Sequence, residues 1–183
     1  TIYWMYGSFL SSLKVENITG TLSVGQISEL VFMSLLPLAL PKLGFKKTLA
    51  LGTIAMLARY AMSAFAPDMH ALYWGAIAMH GLIFGFFFVA AQMYVDKKAS
   101  ADIRAQAQGL FFFFYGVAQI IGTFFSTWLI EHFTSKVSDK LPAAVNAAVA
   151  TTDWQSVFLV ETAICAALLV FFALFFKDDV KNA

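Results

Sequence analysis

Charge is scarce in this sequence. Only 13% of its 183 residues are Asp, Glu, Lys or Arg, against 60% hydrophobic residues, whereas a soluble domain carries about a quarter charged residues to wet its surface. That shortage excludes an ordinary water-facing surface and leaves lipid as the solvent. The 12 basic and 11 acidic residues nearly cancel, so no positive field exists to hold a phosphate backbone, and nucleic acid is excluded as a partner. Cysteine is reduced to Cys165, which rules out an intramolecular disulfide, and the usual Cys/His metal spacings are absent. Without a nucleophile elbow, a P-loop or a metal-ligand cluster, no enzyme, resident cofactor or metal site is expected.

What the chain does have is length in apolar runs and twenty Phe. Apolar stretches fall at about 22–41, 48–66, 71–95, 106–130 and 154–176, each near the ~20 residues a helix needs to cross a bilayer. The run 1–13 is too short to cross and is read as the remnant of a truncated helix, the chain starting at Thr1 with no signal-peptide n-region. The expected fold is therefore an all-α integral membrane protein, a six-helix bundle whose first helix is truncated, with the connector 131–153 as its long outer loop. Pro37 and Pro41 are expected to kink and then end the second helix. The Ala-rich part of the loop, residues 141–148, is read as a short surface helix.

Loop charge gives the orientation, because cationic loops stay in the cytoplasm. Lys42, Lys46, Lys47, Lys97, Lys98, Arg104, Lys177 and Lys181 fall on one side, and Lys14, Lys136 and Lys140 on the other. The first group predicts a cytoplasmic C-terminus in a multi-pass inner or plasma membrane protein. Six helices with both ends on one side divide into three plus three, a common build for half of a transporter.

An ionisable residue at membrane depth is costly and marks either a functional site or a paired structural one. Glu29, Arg59, His80 and Glu161 qualify, and being so few, each invites a separate test. Gln26 and Glu29 share a helix face, where an amide and a carboxylate can grip a hydroxylated or heterocyclic ligand; the alternative is a helix–helix hydrogen bond. Arg59 lies too deep to snorkel and calls for a carboxylate partner, Glu29 or Glu161, either as a clamp or as part of coupling. His80 reads equally as a proton relay or a hydrogen-bonded core residue. Glu161, in the outer third of the last span, reads as structural or solvated. Gly81 and Gly85 form a small-xxx-small spacing for close helix packing. Tyr115, Gln119, Thr123 and Thr127 repeat at i+4 as a polar stripe that lines a cavity or joins helices. The Phe runs 86–88 and 111–114 are lipid-facing or packing surface, a few rings being able to stack on a planar base.

Several of these segments, taken in order, resemble the nucleoside:proton symporter family of the major facilitator superfamily. They are Gln26-Ile27-Ser28-Glu29, Leu43-Gly44-Phe45-Lys46-Lys47, Leu57-Ala58-Arg59-Tyr60, Val95-Asp96-Lys97-Lys98, Ile103-Arg104-Ala105-Gln106-Ala107-Gln108-Gly109 and Thr152-Asp153-Trp154-Gln155. The resemblance runs over nearly the whole chain and covers the family's C-terminal six helices. It implies a twelve-helix transporter that moves a nucleoside inward with a proton by alternating access, its N-terminal six-helix half being absent here. By the same resemblance Gln26 and Glu29 contact the nucleoside, and Arg59 is the helix-nine arginine. The family's helix ten carries an aromatic hydroxyl and, five residues later, an aspartate. Here those positions read His80 and Gly85, while Phe84 between them fits.

The expected substrate-binding set is Gln26, Glu29, His80, Phe84, Tyr115 and Gln119, with Glu29, His80 and Arg59 as candidates for proton coupling and Glu161 as a structural or coupling residue. Alternatives are a proton-coupled sugar or oligosaccharide symporter, since such ligands also suit Gln, Glu, His and aromatics, and a non-transporting membrane receptor or scaffold.

Overall fold

The computed structural model describes residues 2–69, 71–135 and 151–178. Among them the chain forms α1 (Ile2–Ser12), α2 (Ile18–Phe65), α3 (Ala71–Ile83), a π-helical turn (Phe84–Val89), α4 (Ala90–Lys98), α5 (Arg104–His132) and α6 (Trp154–Phe175). The surface helix expected at 141–148, together with Lys136, Lys140 and Lys181, lies outside the described residues.

Helix α2 is the element that shapes the bundle. Its 48 residues would span about 70 Å if straight, more than twice the ~30 Å hydrocarbon core. The chain therefore has to reverse, and it does so at Gly44, whose φ of 73° and ψ of 170° interrupt the helix with a backbone that only glycine adopts without strain. Contacts with α3 prove the reversal. Gly25 meets Ile77 and His80, Gly81 meets Ser28 and Gly85 meets Phe32, so numbers ascend together and the first half of α2 runs parallel to α3. Gly52 meets Phe87, Arg59 meets His80 and Met62 meets Gly75, so the second half runs antiparallel. Pro41 does not end the second helix, as the sequence suggested: helical backbone continues through Pro37 and Pro41. A proline removes one N–H, which a helix survives, whereas a positive φ at Gly44 redirects the whole chain.

The stretches expected as spans at 22–41 and 48–66 fall on the two arms of α2, one on either side of the break at Gly44. Among the described residues four helices are long and apolar enough to cross a membrane, Ile18–Phe65, Ala71–Lys98, Arg104–His132 and Trp154–Phe175, the first of them turning back at Gly44. Large apolar side chains such as Phe113, Phe124, Phe171 and Leu174 point outward, as expected where the solvent is lipid. The protein is an all-α, multi-pass membrane bundle.

Two buried clusters hold it together. Near the start of the chain Met5, Tyr6, Phe9 and Leu10 of α1 pack with Ala64, Ala76, Ile77, Trp154 and Phe158. At the other end Leu36, Leu40, Phe45 and Leu49 pack with Phe86 and Ala90. The π-helical turn lies against the second arm of α2, where the absent side chain of Gly52 lets the Phe87 backbone nitrogen come within 2.6 Å of where a Cβ would stand.

Among the described residues, Lys46, Lys97 and Arg104 gather at one end of the bundle and Lys14 stands at the other. The Lys46 N–H donates to Asp178 Oδ2 at 3.1 Å, Lys97 lies over the Phe45 ring and Arg104 approaches Asp96 at 3.6 Å, all at one end. Lys14, Asp68 and Asp153 border a polar hollow at the other end. There Thr134 and Ser135 pair antiparallel with Thr152 and Thr151, tying α5 to the start of α6.

Candidate functional site

The close approach of α3 to the first arm of α2 sets the site. With no side chain at Gly81, the Ser28 backbone lies against it, and the Gly81 N–H donates to Ser28 Oγ at 3.0 Å while that hydroxyl donates to the Gly25 carbonyl at 2.6 Å. The neighbours of this contact are consequently forced together. His80 Nε2 stands 2.8 Å from Glu29 Oε1. On the other side of the imidazole, Arg59 Nη1 stands 2.7 Å from His80 Nδ1.

Donor chemistry fixes the direction of this chain. A guanidinium has only N–H donors, so Nδ1 accepts from Arg59, and Nε2 carries the ring proton and donates to Glu29. Arg59 is 2% exposed. Its charge lies 4.3 Å from the centre of the Tyr6 ring, a cation–π contact worth most when desolvated. Tyr6 in turn shares a short hydrogen bond with Ser63, whose Oγ donates to the Arg59 carbonyl. The buried Arg59 Nε has no hydrogen-bond partner among the described residues. The partner expected for Arg59 was a carboxylate; the guanidinium reaches Glu29 through His80 instead.

Gln26, one turn before Glu29, is exposed. Phe84, one turn after His80, stacks on Phe88 at 5.6 Å, and Phe88 contacts Tyr115 at 4.4 Å. From Tyr115 onward the geometry leads to a second polar cluster. Tyr115 and Gln119 line a cavity of about 400 Å³ with Tyr60, Gly122, Ser126 and Glu161. Glu161 is 9% exposed and accepts from Ser126 Oγ at 3.1 Å, with Tyr60 on the same cavity wall. Glu29 and His80 do not line this cavity, so the eight candidate residues divide into two groups that meet at Arg59 and Tyr60.

Tyr6, Ser63, Tyr60 and Ser126 escaped the sequence reading. Ser126 was within reach, because the cavity face of α5 repeats at i, i+3, i+4, i+7 and i+11 through Tyr115, Ala118, Gln119, Gly122 and Ser126. A strict i+4 stripe drifts by about 40° at each step. Thr123 accordingly leaves the cavity face, is exposed, and returns its hydroxyl to the Gln119 carbonyl at 2.8 Å.

Comparison with known proteins places the chain. A sequence model of the nucleoside H+ symporter family matches residues 1–181. The chain belongs to this family. It is 30% identical over 183 residues to YegT of Escherichia coli (strain K12), covering 97% of this chain and 41% of that protein. It is 29% identical to the nucleoside permease NupG of the same strain, covering 92% and 38%, and 26% identical to its xanthosine permease, covering 95% and 40%. The crystal structure of the nucleoside transporter NupG superposes with a TM-score of 0.75 at 26% identity, over 96% of this chain and 43% of that one, and a NupG point mutant with 0.77 at 27% identity, over 93% and 43%. The chain spans about two-fifths of the length of the curated relatives it matches.

Proposed function

We propose that this chain is the C-terminal bundle of a transporter that carries a nucleoside inward with a proton, by alternating access across a cell membrane. The reading includes an N-terminal six-helix half of the same polypeptide that supplies the opposite wall of the cavity. It also puts the C-terminus in the cytoplasm of an inner or plasma membrane protein, on the side that gathers most of the loop lysines.

The hydrogen-bonded chain from Arg59 through His80 to Glu29 carries the proposal. Three ionisable groups at membrane depth are expensive unless the site needs them, and a transporter that couples to protons needs a titratable group beside its substrate. Glu29 keeps 24% of its side chain accessible, enough to meet a ligand. With the exposed amide of Gln26 it offers acceptors and a donor for sugar hydroxyls or a base, while Phe84 and Phe88 offer aromatic faces for stacking. Nucleoside is the substrate class because the named relatives NupG and xanthosine permease carry that word or a nucleoside's name. A proton moves the equilibrium between inward- and outward-open states only through differential affinity for them. Protonation of Glu29 or His80, by changing the hydrogen bonds between the two arms of the site, supplies that difference.

The test is proton-driven uptake of labelled uridine by the full-length transporter in proteoliposomes. Glu29→Gln should abolish most of it. Unchanged uptake with unchanged pH dependence would remove Glu29 from the mechanism. Competition by free sugars but not by nucleosides would replace nucleoside with sugar as the substrate. Absence of any uptake by the parent protein would favour a receptor or scaffold.

A further inference from the structure

We infer that the groove between the second arm of α2 and α6 is a binding site for an anionic phospholipid, with one acyl chain lying in the groove and the phosphate headgroup resting on the lysines at its mouth. The site is separate from the line of Arg59, His80 and Glu29 and does not depend on what the protein transports.

The groove encloses about 410 Å³. Thr53 and Cys165 are buried at its floor, while Leu168, Phe171 and Phe175 on its rim are 54%, 61% and 66% exposed, so it is open along its side. The Thr53 hydroxyl is turned back to the Leu49 carbonyl at 2.9 Å. That leaves the lining with almost nothing for a polar solute to bond with, which disfavours a nucleoside here and suits hydrocarbon. From Cys165 to Phe176 the lining follows α6 for about 16 Å at ~1.5 Å per residue, close to half of the ~30 Å hydrocarbon core. Cys165 and Leu168 also border the Glu161 cavity, so the apolar path stops where the polar wall begins. The groove is therefore as long as one leaflet is deep.

Charge at the shallow end selects the headgroup. Lys46 Nζ donates to the Ala173 carbonyl at 3.1 Å, one residue from Phe172 of the lining, and an ammonium has further hydrogens for another acceptor. Lys177 is exposed and directly follows Phe176. Phe176 packs on Tyr94, Tyr94 on Phe45, and Lys97 lies over the Phe45 ring at 5.7 Å, which brings a third ammonium to this end. Asp178 is the counter-charge here, and its Oδ2 accepts from the Lys46 backbone N–H. A basic pocket between helices, on the side that gathers the loop lysines, suits an anionic lipid headgroup. A zwitterionic lipid brings its own cation and gains less from the same lysines.

The experiment is photo-crosslinking of the full-length transporter in bilayers of phosphatidylcholine with a minor share of phosphatidylglycerol of the same chains. Benzoyl-phenylalanine replaces Phe171 on the rim or Leu174, which is 70% exposed on α6 outside the groove, and mass spectrometry identifies the lipid attached at each. Expected at position 171 is phosphatidylglycerol at least about tenfold above its bilayer share, as two or more lysines would give. At position 174 it should appear at its bilayer share. Lys177→Gln should lower the enrichment about fivefold, the effect of one lysine beside an anionic lipid, and Lys46→Gln combined with it should bring the ratio down to the bilayer share. Should loss of the Lys46 bond to α6 unfold the double variant, Lys177→Gln alone decides, since that side chain is exposed. Equal lipid ratios at positions 171 and 174, or an enrichment that ignores Lys177→Gln, would overturn the inference. A crosslink at position 171 to protein alone would also overturn it, making the groove an interface within the transporter. Displacement of phosphatidylglycerol by excess glycerol phosphate would do the same, making the mouth a site for a free phosphate.

Discussion

Adding one methyl group at Gly81 should break both the bundle and the site. An alanine Cβ there would overlap the Ser28 carbonyl and the Glu29 backbone nitrogen. Those are main-chain atoms of a helix, which cannot swing away as a side chain tip would. The helices must part by roughly 1 Å before the contact becomes ordinary, and overpacking of this kind costs about 1–3 kcal/mol. Alanine regains about 1 kcal/mol of helix propensity over glycine, too little to offset the overlap. The same displacement stretches the 2.8 Å bond between His80 and Glu29 beyond hydrogen-bonding range. Gly85, one turn along the same face, is the internal control. Its added Cβ would lie 3.4 Å from the Phe32 carbonyl, an ordinary contact, so propensity alone acts and Gly85→Ala should be neutral or slightly stabilising. The assay is thermal unfolding of the purified full-length protein alongside uridine uptake. Gly81→Ala should unfold earlier and lose uptake, and Gly85→Ala should keep its stability. Equal behaviour of the two variants would refute the claim that backbone contact at Gly81 sets the geometry of Glu29 and His80.

Other perturbations separate the remaining parts. Gly44→Ala should destabilise the bundle by about 1–2 kcal/mol, because a φ of 73° is unfavourable for a residue with a Cβ, as read by thermal unfolding. Ser126→Ala leaves the buried Glu161 short of one donor, and losing a hydrogen bond to a charged group costs about 1.5–3 kcal/mol; Glu161→Gln combined with it should cost less than the two changes summed. Asp153 caps α6, accepting from the Ser156 N–H at 3.1 Å and the Ser156 hydroxyl at 2.6 Å, and these bonds hold its carboxyl below the usual aspartate value. Since the folded value is the lower one, the capping contribution is complete above the unfolded-state value near 4 and fades as pH falls through the folded value. Asp153→Ala should therefore cost about 1 kcal/mol at neutral pH, and the difference from the parent should shrink in acid.

Membrane character and the cast of ionisable residues were legible because both depend on composition along the chain. A bilayer leaves no alternative for stretches such as 71–95, and any charge within one stands out. What composition could not convey was partnership. Arg59 finds an imidazole, because Glu29 has already been brought to the far side of His80 by the Gly81–Ser28 contact. The break in α2 falls between the stretches 22–41 and 48–66, where the sequence put it, but it is made by Gly44 taking a positive φ and not by Pro41. The π-helical turn at Phe84–Val89 left no trace in the sequence beyond a glycine within a Phe run. It depends on Gly52, over thirty residues away, making room for the Phe87 backbone.

Partnership also alters how the site must be probed. Scarcity of charge suggests that Glu29, Arg59, His80 and Glu161 can be tested one at a time. The structure removes that independence for three of them, since Arg59, His80 and Glu29 form one hydrogen-bonded line. Deleting Glu29 takes away the group facing His80 Nε2, and deleting Arg59 takes away the donor to His80 Nδ1. A single substitution therefore reports the penalty of the orphaned partner together with the lost function. Residues so joined are expected to couple by about 0.5–3 kcal/mol in double-mutant cycles. For Glu29→Gln with Arg59→Met the sign follows from charge: the pair removes one negative and one positive group, so the double variant should be more stable than the summed single losses predict. Glu161 shares its cavity with Tyr60, which sits beside Arg59 on α2, and stands apart from Glu29 and His80. Its cycle with Glu29 should be close to additive. Strong coupling there would mean that the two polar clusters act as one, with the Arg59–Tyr60 step of α2 as the link.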